Sequence, residues 1–313
     1  MSLRGKLLRF VRKPLPEKWL TIRAKFGDFA HIPNPTQRAI LKRLDDIATA
    51  VERSHWIARE QYLEREFSRE RYADGKRLEP YGFKVYSQTD EDGIIQEIFR
   101  RIGTKSRTFV EFGVENGLEN NTLKLLLEGW RGLWLEANAE YVTSIERRFS
   151  DVIVDNRLAV RPAFITAENI NELIGGWGTG EIDLLSIDID GNDFYVWKAI
   201  NVINPRVVVI ECNWKYPPPL SIVQAYRPQN VWRGADYMGA SLEALTRLGA
   251  QIGYSLVGTN VIGFNAFFVR NDLVAEKFQR PFSAENHYNC KDFLWPYFGP
   301  GHSPDWGRWV QVD

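Results

Sequence analysis

The chain has 313 residues and a mass of 36.2 kDa, room for one large domain or a domain with appendages. Forty Lys and Arg balance forty Asp and Glu, so overall charge gives no support to a nucleic-acid partner. No apolar run reaches the ~18 residues of a membrane span, and Cys212 and Cys290 are isolated, without metal-ligand spacing or a disulfide framework. A cytoplasmic location is expected, at the inner membrane face if the N-terminus binds lipid.

Residues 1–25 carry eight basic side chains against one acid, Glu17, interleaved with Leu7, Leu8, Phe10, Val11 and Leu15. Two readings stand: a peripheral contact with an anionic membrane, or a frayed basic terminus. The basic segment is taken as 1–35. A charged helix is expected over 36–74, where Ile40, Leu44, Ile47, Val51, Ala58 and Tyr62 approximate a 3.5-residue spacing with a polar gap at Ser54. It reads either as a short coiled coil joining subunits in a homo-oligomer or as an amphipathic helix on the catalytic body.

From Asp74-Gly75 the pattern alternates between helix and strand, defining a domain over 75–275. Ser87 or Thr89 is expected to start a helix through Phe99. TFVEFG (108–113) reads as a strand, 121–127 as a helix, GLWLEA (132–137) as a strand and 141–149 as a helix. RLAVRPAFI (157–165) reads as a third strand, with Thr166 capping the helix that follows. IDLLSIDID (182–190) is a fourth strand, 194–200 a helix, RVVVIECN (206–213) a fifth strand and 240–248 a helix. Residues 253–259 and 265–271 have no helix between them and should pair as a hairpin. The expected fold is therefore α/β, a doubly wound, mostly parallel seven-stranded sheet with one antiparallel strand, plus an N-terminal helical extension. Class I methyltransferases, which are Rossmann-like, end in this way. An aromatic-rich extension follows at 276–313.

Ligands of such sheets bind across the carboxyl ends of the strands. Those ends are acidic here: Glu111 with Gly113, Glu136 with Asn138, Asp188 and Asp190, Glu211 and Asn213. One acid at a strand end is ordinarily a cap or a solvated rim residue. Four acid-bearing ends on one rim call for a cation, donors or a ligand. The first turn, FGVENG, holds only Gly113 and Gly117, with Glu115 between them, rather than the G-x-G-x-x-G of a pyrophosphate site. An acid at the end of the second strand suits ribose hydroxyls, a role for Glu136. A nucleoside without a diphosphate, bearing a cationic amino acid, fits the turn. S-adenosylmethionine is such a ligand, and Glu111 or Glu115 would face its positive groups.

The segments YSQTDEDGIIQEIF, FVEFGVENGLENNT, LWLEANAEYV, AENINELI, IDLLSIDIDGNDFYVWKAI and VVVIECN resemble the FkbM-type methyltransferases, most of all the branch found among bacterial surface-glycan genes. The resemblance covers about residues 80–272. It implies S-adenosylmethionine as donor and a hydroxyl oxygen, often on a sugar, as acceptor. The cofactor set is then Glu111, Gly113, Glu115, Gly117, Glu136 and Asp188. Asp190 is the candidate base, with Asp188 beside it. Asp188, Asp190, Glu211 and Asn213 are candidate oxygen ligands for Mg²⁺ or another divalent cation. His287 is a minor candidate base. The acceptor pocket is expected from 213–232, with Trp214, Tyr216, Tyr226 and Trp232, and from 293–309. Competing readings are an NAD-dependent oxidoreductase and a non-catalytic assembly protein.

Overall fold

The computed structural model describes residues 35–289 and 302–313. The basic segment, Cys290 and much of the 293–309 stretch lie outside the described residues. The chain divides into two compact units at Gln61/Tyr62. The expected junctions at 74/75 and 275/276 fall inside the second unit.

The first helix, α1, runs Pro35–Phe67. Then come α2 (Glu91–Ile102), β1 (Thr108–Phe112), α3 (Leu123–Leu127), β2 (Arg131–Glu136), α4 (Ala139–Arg148), α5 (Ser150–Val154), β3 (Leu158–Pro162) and α6 (Ile170–Gly175). They are followed by β4 (Gly180–Ile187), α7 (Asp193–Ala199), β5 (Ile203–Glu211), β6 (Ile222–Gln224), α8 (Leu242–Gln251), β7 (Tyr254–Thr259), β8 (Asn265–Arg270), α9 (Asn271–Val274), α10 (Ala284–His287) and β9 (Trp309–Gln311). Among the described residues no helix is long and apolar enough to cross a membrane.

Seven strands form one sheet in the order β3-β2-β1-β4-β5-β8-β7. All neighbours are parallel except β8, which is antiparallel to both β5 and β7. The expected hairpin thus supplies the single antiparallel strand. Helices cover both faces, which is why the central strands read as continuous apolar runs. Val110, Phe112, Leu185, Ile187, Val208 and Ile210 pack on the α6–α8 side. Phe109, Leu184, Val207 and Val209 alternate with them and pack on the α2–α4 side.

Several boundaries differ from the sequence expectation. α2 begins at Glu91, after Asp90; Ser87 meets its first turn, where the hydroxyl accepts the Asp92 N–H at 3.2 Å, whereas Thr89 makes no such bond to a helix N–H. In turn the Asp92 carboxylate accepts the N–H groups of Val85, Tyr86 and Ser87, and Glu91 accepts that of Thr89. The carboxylates at the helix start draw the preceding chain into turns. Thr166 closes a turn with Asn169, and α6 starts only at Ile170. β4 stops at Ile187, leaving Asp188 and Asp190 in the following loop. The stretch 213–232, expected to line the acceptor pocket, contains β6, which pairs antiparallel with β9 from the chain's far end. Val223 enters the core there.

Candidate active site

The sheet register brings the predicted residues to one edge. Phe112 lies beside Leu135 and Ile187, and Ile187 lies beside Ile210. One residue further along, Gly113, Glu136, Asp188 and Glu211 therefore come level at the carboxyl ends of β1, β2, β4 and β5.

The glycine turn is built by packing as much as by any ligand. Gly113 has φ +70°, and a Cβ there would lie 1.7 Å from the Asp188 carbonyl oxygen. Gly117 has φ +75°, and its Cβ would meet the Trp134 ring at 2.8 Å. Glu115 between them also has positive φ. Its N–H donates to Glu136 Oε2 at 2.8 Å, while Glu136 Oε1 accepts from Asn138 N–H at 2.8 Å. Glu136 thus fixes the turn with one lone pair on each oxygen and retains a second on each for a ligand. The N–H groups of Gly113, Glu115 and Gly117 are engaged within the fold and carboxylates flank the turn, an arrangement that disfavours a diphosphate.

Glu111 is fully buried and faces inward. It accepts hydrogen bonds from the N–H and hydroxyl of Thr122, the N–H of Asn121 and the hydroxyl of Ser186. Burial pushes its carboxyl up to about 7, against the pull of those donors. Its observed contacts tie β1 to the 120–122 segment and to β4.

The acids after β4 and β5 gather. One ligand atom from each of Asp188, Asp190 and Glu211 lies within 4.8 Å of the others. Burial, then Asp190, Asp193, Glu111 and Glu115, hold the Asp188 carboxyl well above its ordinary range. Burial, then Asp193 and Glu115, raise Asp190 to about 6. Burial, then Asp188, Asp193 and Asp190, raise Glu211 as well. Glu211 Oε2 is a buried atom without a partner among the described residues. Crowded carboxyls of this kind hold protons or bind a cation.

Asp193 organises the loop, a role the sequence reading did not give it. It is buried and accepts from Ile189 N–H and Gly191 N–H, both at 2.8 Å. Those bonds hold Asp190 at φ +55°, a conformation that few residues other than Gly, Asn and Asp adopt readily. Asn213 differs from its expected place among the ligands. Its amide donates to the Asp236 and Met238 carbonyls and its oxygen accepts from Lys215 N–H, so this side chain ties down the following loop. His287 is not brought to the acids either. It is buried with Arg77 and Arg71 as charged neighbours, and burial first, then Arg77, lower its pKa to about 3.

A small cleft of about 70 Å³ opens beside Glu211, lined by Gln88, Trp214, Lys215, Met238, Phe264 and His302 among others. The Trp214 and Phe264 rings lie 6.1 Å apart, tilted by 41°. Lys215 Nζ donates to Asp236 Oδ2 and to the His302 carbonyl, both at 2.9 Å. Of the four aromatics expected in the pocket, Trp214 lines it. Tyr216 packs on Trp309, Tyr226 on Tyr195, and Trp232 on His302. Gln88 and Phe264 come from sequence-distant turns and carried no local signal.

Gln224 is 1% exposed, yet neither amide atom has a partner among the described residues. Its amide faces Gly191, where an added Cβ would lie 2.9 Å from Gln224 Nε2 and 2.5 Å from Asn230 Nδ2. An unpaired buried amide costs about 1–3 kcal/mol. Gln224→Leu is therefore expected to raise the melting temperature of the ligand-free protein by a few degrees. A lower melting temperature would mean that the amide is bonded in solution.

Strand order, with the single antiparallel strand β8 and an acidic edge at the switch between β1 and β4, is that of a class I methyltransferase fold. No protein-family model matches the chain, and no curated protein matches it. Among solved structures, the N-terminal domain of EvdMO1 with SAH bound is 16% identical, with a TM-score of 0.38 over 66% of this chain and 94% of that one. The O-methyltransferase from Bacillus cereus in complex with SAH is 15% identical, with a TM-score of 0.37 over 80% of this chain and 97% of that one. The CurJ carbon methyltransferase is 10% identical, with a TM-score of 0.38 over 59% of this chain and 56% of that one. These likenesses are slight, and the strand order carries the assignment.

Proposed function

We propose that the chain is an S-adenosylmethionine-dependent O-methyltransferase whose acceptor is a sugar hydroxyl of a cell-surface polysaccharide, a lipopolysaccharide or a precursor of either. The observation that carries this reading is the level set of Gly113, Glu136, Asp188 and Glu211. It joins a nucleoside-binding turn to a carboxylate cluster. The glycan acceptor rests on the sequence resemblance and on the aromatic pair in the adjoining cleft.

S-adenosylmethionine, when bound, supplies a methyl group on a positive sulfur. Glu136 is suited to accept hydrogen bonds from its ribose hydroxyls. Glu115 and Asp188 lie beside the turn, where their charge favours the sulfonium and ammonium groups. Asp190, with a carboxyl near 6, takes the proton from the acceptor hydroxyl. Trp214 and Phe264 offer faces to the apolar side of a sugar ring and hold the oxygen in line with the methyl.

The three clustered carboxylates fit a hard divalent cation. They offer oxygen donors alone, and Glu211 contributes an unpartnered one. As the alternative to Asp190 acting as the base, Mg²⁺ held by Asp188, Asp190 and Glu211 would lower the pKa of an acceptor hydroxyl.

Calorimetric titration with S-adenosylmethionine and with NAD, each in magnesium and in EDTA, tests the reading. Saturable binding of S-adenosylmethionine alone is expected. Binding of NAD alone would reverse the interpretation of the turn. Binding of neither would favour an assembly role.

A further inference from the structure

α1 carries an apolar stripe within the first of the two units. Ile40, Leu41, Leu44, Ile47, Val51 and Ile57 are each 50–62% exposed. Ile40, Leu44, Ile47, Val51, Ser54 and Ala58 succeed one another at steps of four, three, four, three and four residues, the alternation of a and d positions in a heptad. The positions flanking this seam include Leu41, Ala48, Ala50 and Ile57, which widen it. Lys42, Asp45, Asp46, Arg53 and Glu60 take the outward positions, and only Arg43 brings a charge to the edge of the stripe.

We propose that this face pairs with the same helix of a second copy of the chain. Three observations support self-pairing. The heptad alternation is the period at which two helices supercoil and keep one seam in contact. It extends over residues 40–58, which is ~28 Å of helix. The seam carries no charge, and the outward basic and acidic residues are mixed, so a second copy meets no block of like charge while an anionic surface gains little. The contact is also of useful size. Twelve half-exposed Leu, Ile and Val side chains from two copies supply on the order of 700 Å² of apolar surface. The alanines and aliphatic stems beside them bring the contact toward the ~1,200 Å² at which specific interfaces begin.

Ser54 on the seam limits the affinity, so association is expected to depend on concentration. Sedimentation equilibrium of the full chain, from about 1 to 100 µM, is expected to give a mass rising to that of an oligomer. A monomer throughout that range overturns the proposal. The Leu44→Asp, Val51→Asp double variant is expected to weaken association at least about a hundredfold, since two charges then meet across an apolar seam. An unchanged mass profile overturns it. A variant that does not fold leaves the decision to crosslinking. Cysteines introduced at Ile47 and Val51 should form a reducible species of twice the chain mass under mild oxidation, for parallel or antiparallel pairing. Cysteines introduced at Asp46 and Arg53, on the outward face, should not. Equal crosslinking of the two pairs would mean random collision and reject the seam.

Discussion

Asp190→Asn is expected to leave S-adenosylmethionine affinity largely unchanged and to lower methyl transfer by about a hundredfold or more. Asparagine keeps the shape at φ +55° and the Asp193 bonds that shape the loop, and loses only the carboxylate. The same change should stabilise the resting protein. Burial first, then Asp193 and Glu115, lift the Asp190 carboxyl to about 6, so its charged form is disfavoured in the fold. A carboxyl whose native pKa lies above its unfolded value binds its proton more tightly when folded. Its contribution to stability therefore falls as pH rises from about 4 through about 6. At pH 7 in EDTA the asparagine variant avoids that loss. Allowing for partial exposure, the gain is on the order of 2 kcal/mol, or roughly 5 °C in melting temperature. Magnesium should raise the melting temperature of the unmodified protein more than that of the variant. Loss of turnover together with a gain in resting stability marks a charge kept for chemistry. A wild-type rate would remove Asp190 from the reaction, and a lower melting temperature would show its charge compensated in the resting state.

The sequence exposed those features that depend on local pattern. Strands buried on both faces, such as Leu184–Ile187 and Val207–Ile210, announce themselves as apolar runs, and the missing helix between β7 and β8 forces the hairpin. Acids at the ends of such runs fall on one rim because parallel strands share a direction. Glu136, Asp188 and Glu211 were visible for that reason. What depends on tertiary return was hidden. β6 is three residues long and pairs with a segment at the far end of the chain, so no local period marks it. The loop that Asn213 holds through Asp236 and Met238 closes from more than twenty residues away, and nothing in ECN tells a ligand from a clamp. The isolation of Gln224 is likewise a property of its surroundings. Asp193 was legible only as the residue before the helix expected over 194–200; its bonds to Ile189 and Gly191 give it the larger task of presenting Asp190.

Glu136→Ala is expected to weaken S-adenosylmethionine binding by about a hundredfold, close to 3 kcal/mol. Two losses combine. The ribose hydroxyls lose their acceptor, and the N–H groups of Glu115 and Asn138 lose theirs, which loosens the turn. The nucleosides separate the two effects. If Glu136 receives the ribose hydroxyls, the unmodified protein should bind adenosine more tightly than 2′-deoxyadenosine, because the deoxy ligand leaves a carboxylate lone pair unmet. In the alanine variant that preference should disappear, while both ligands bind more weakly through the loosened turn. A preference that survives the substitution would leave Glu136 as a brace for the glycine turn and move ribose recognition elsewhere on the rim.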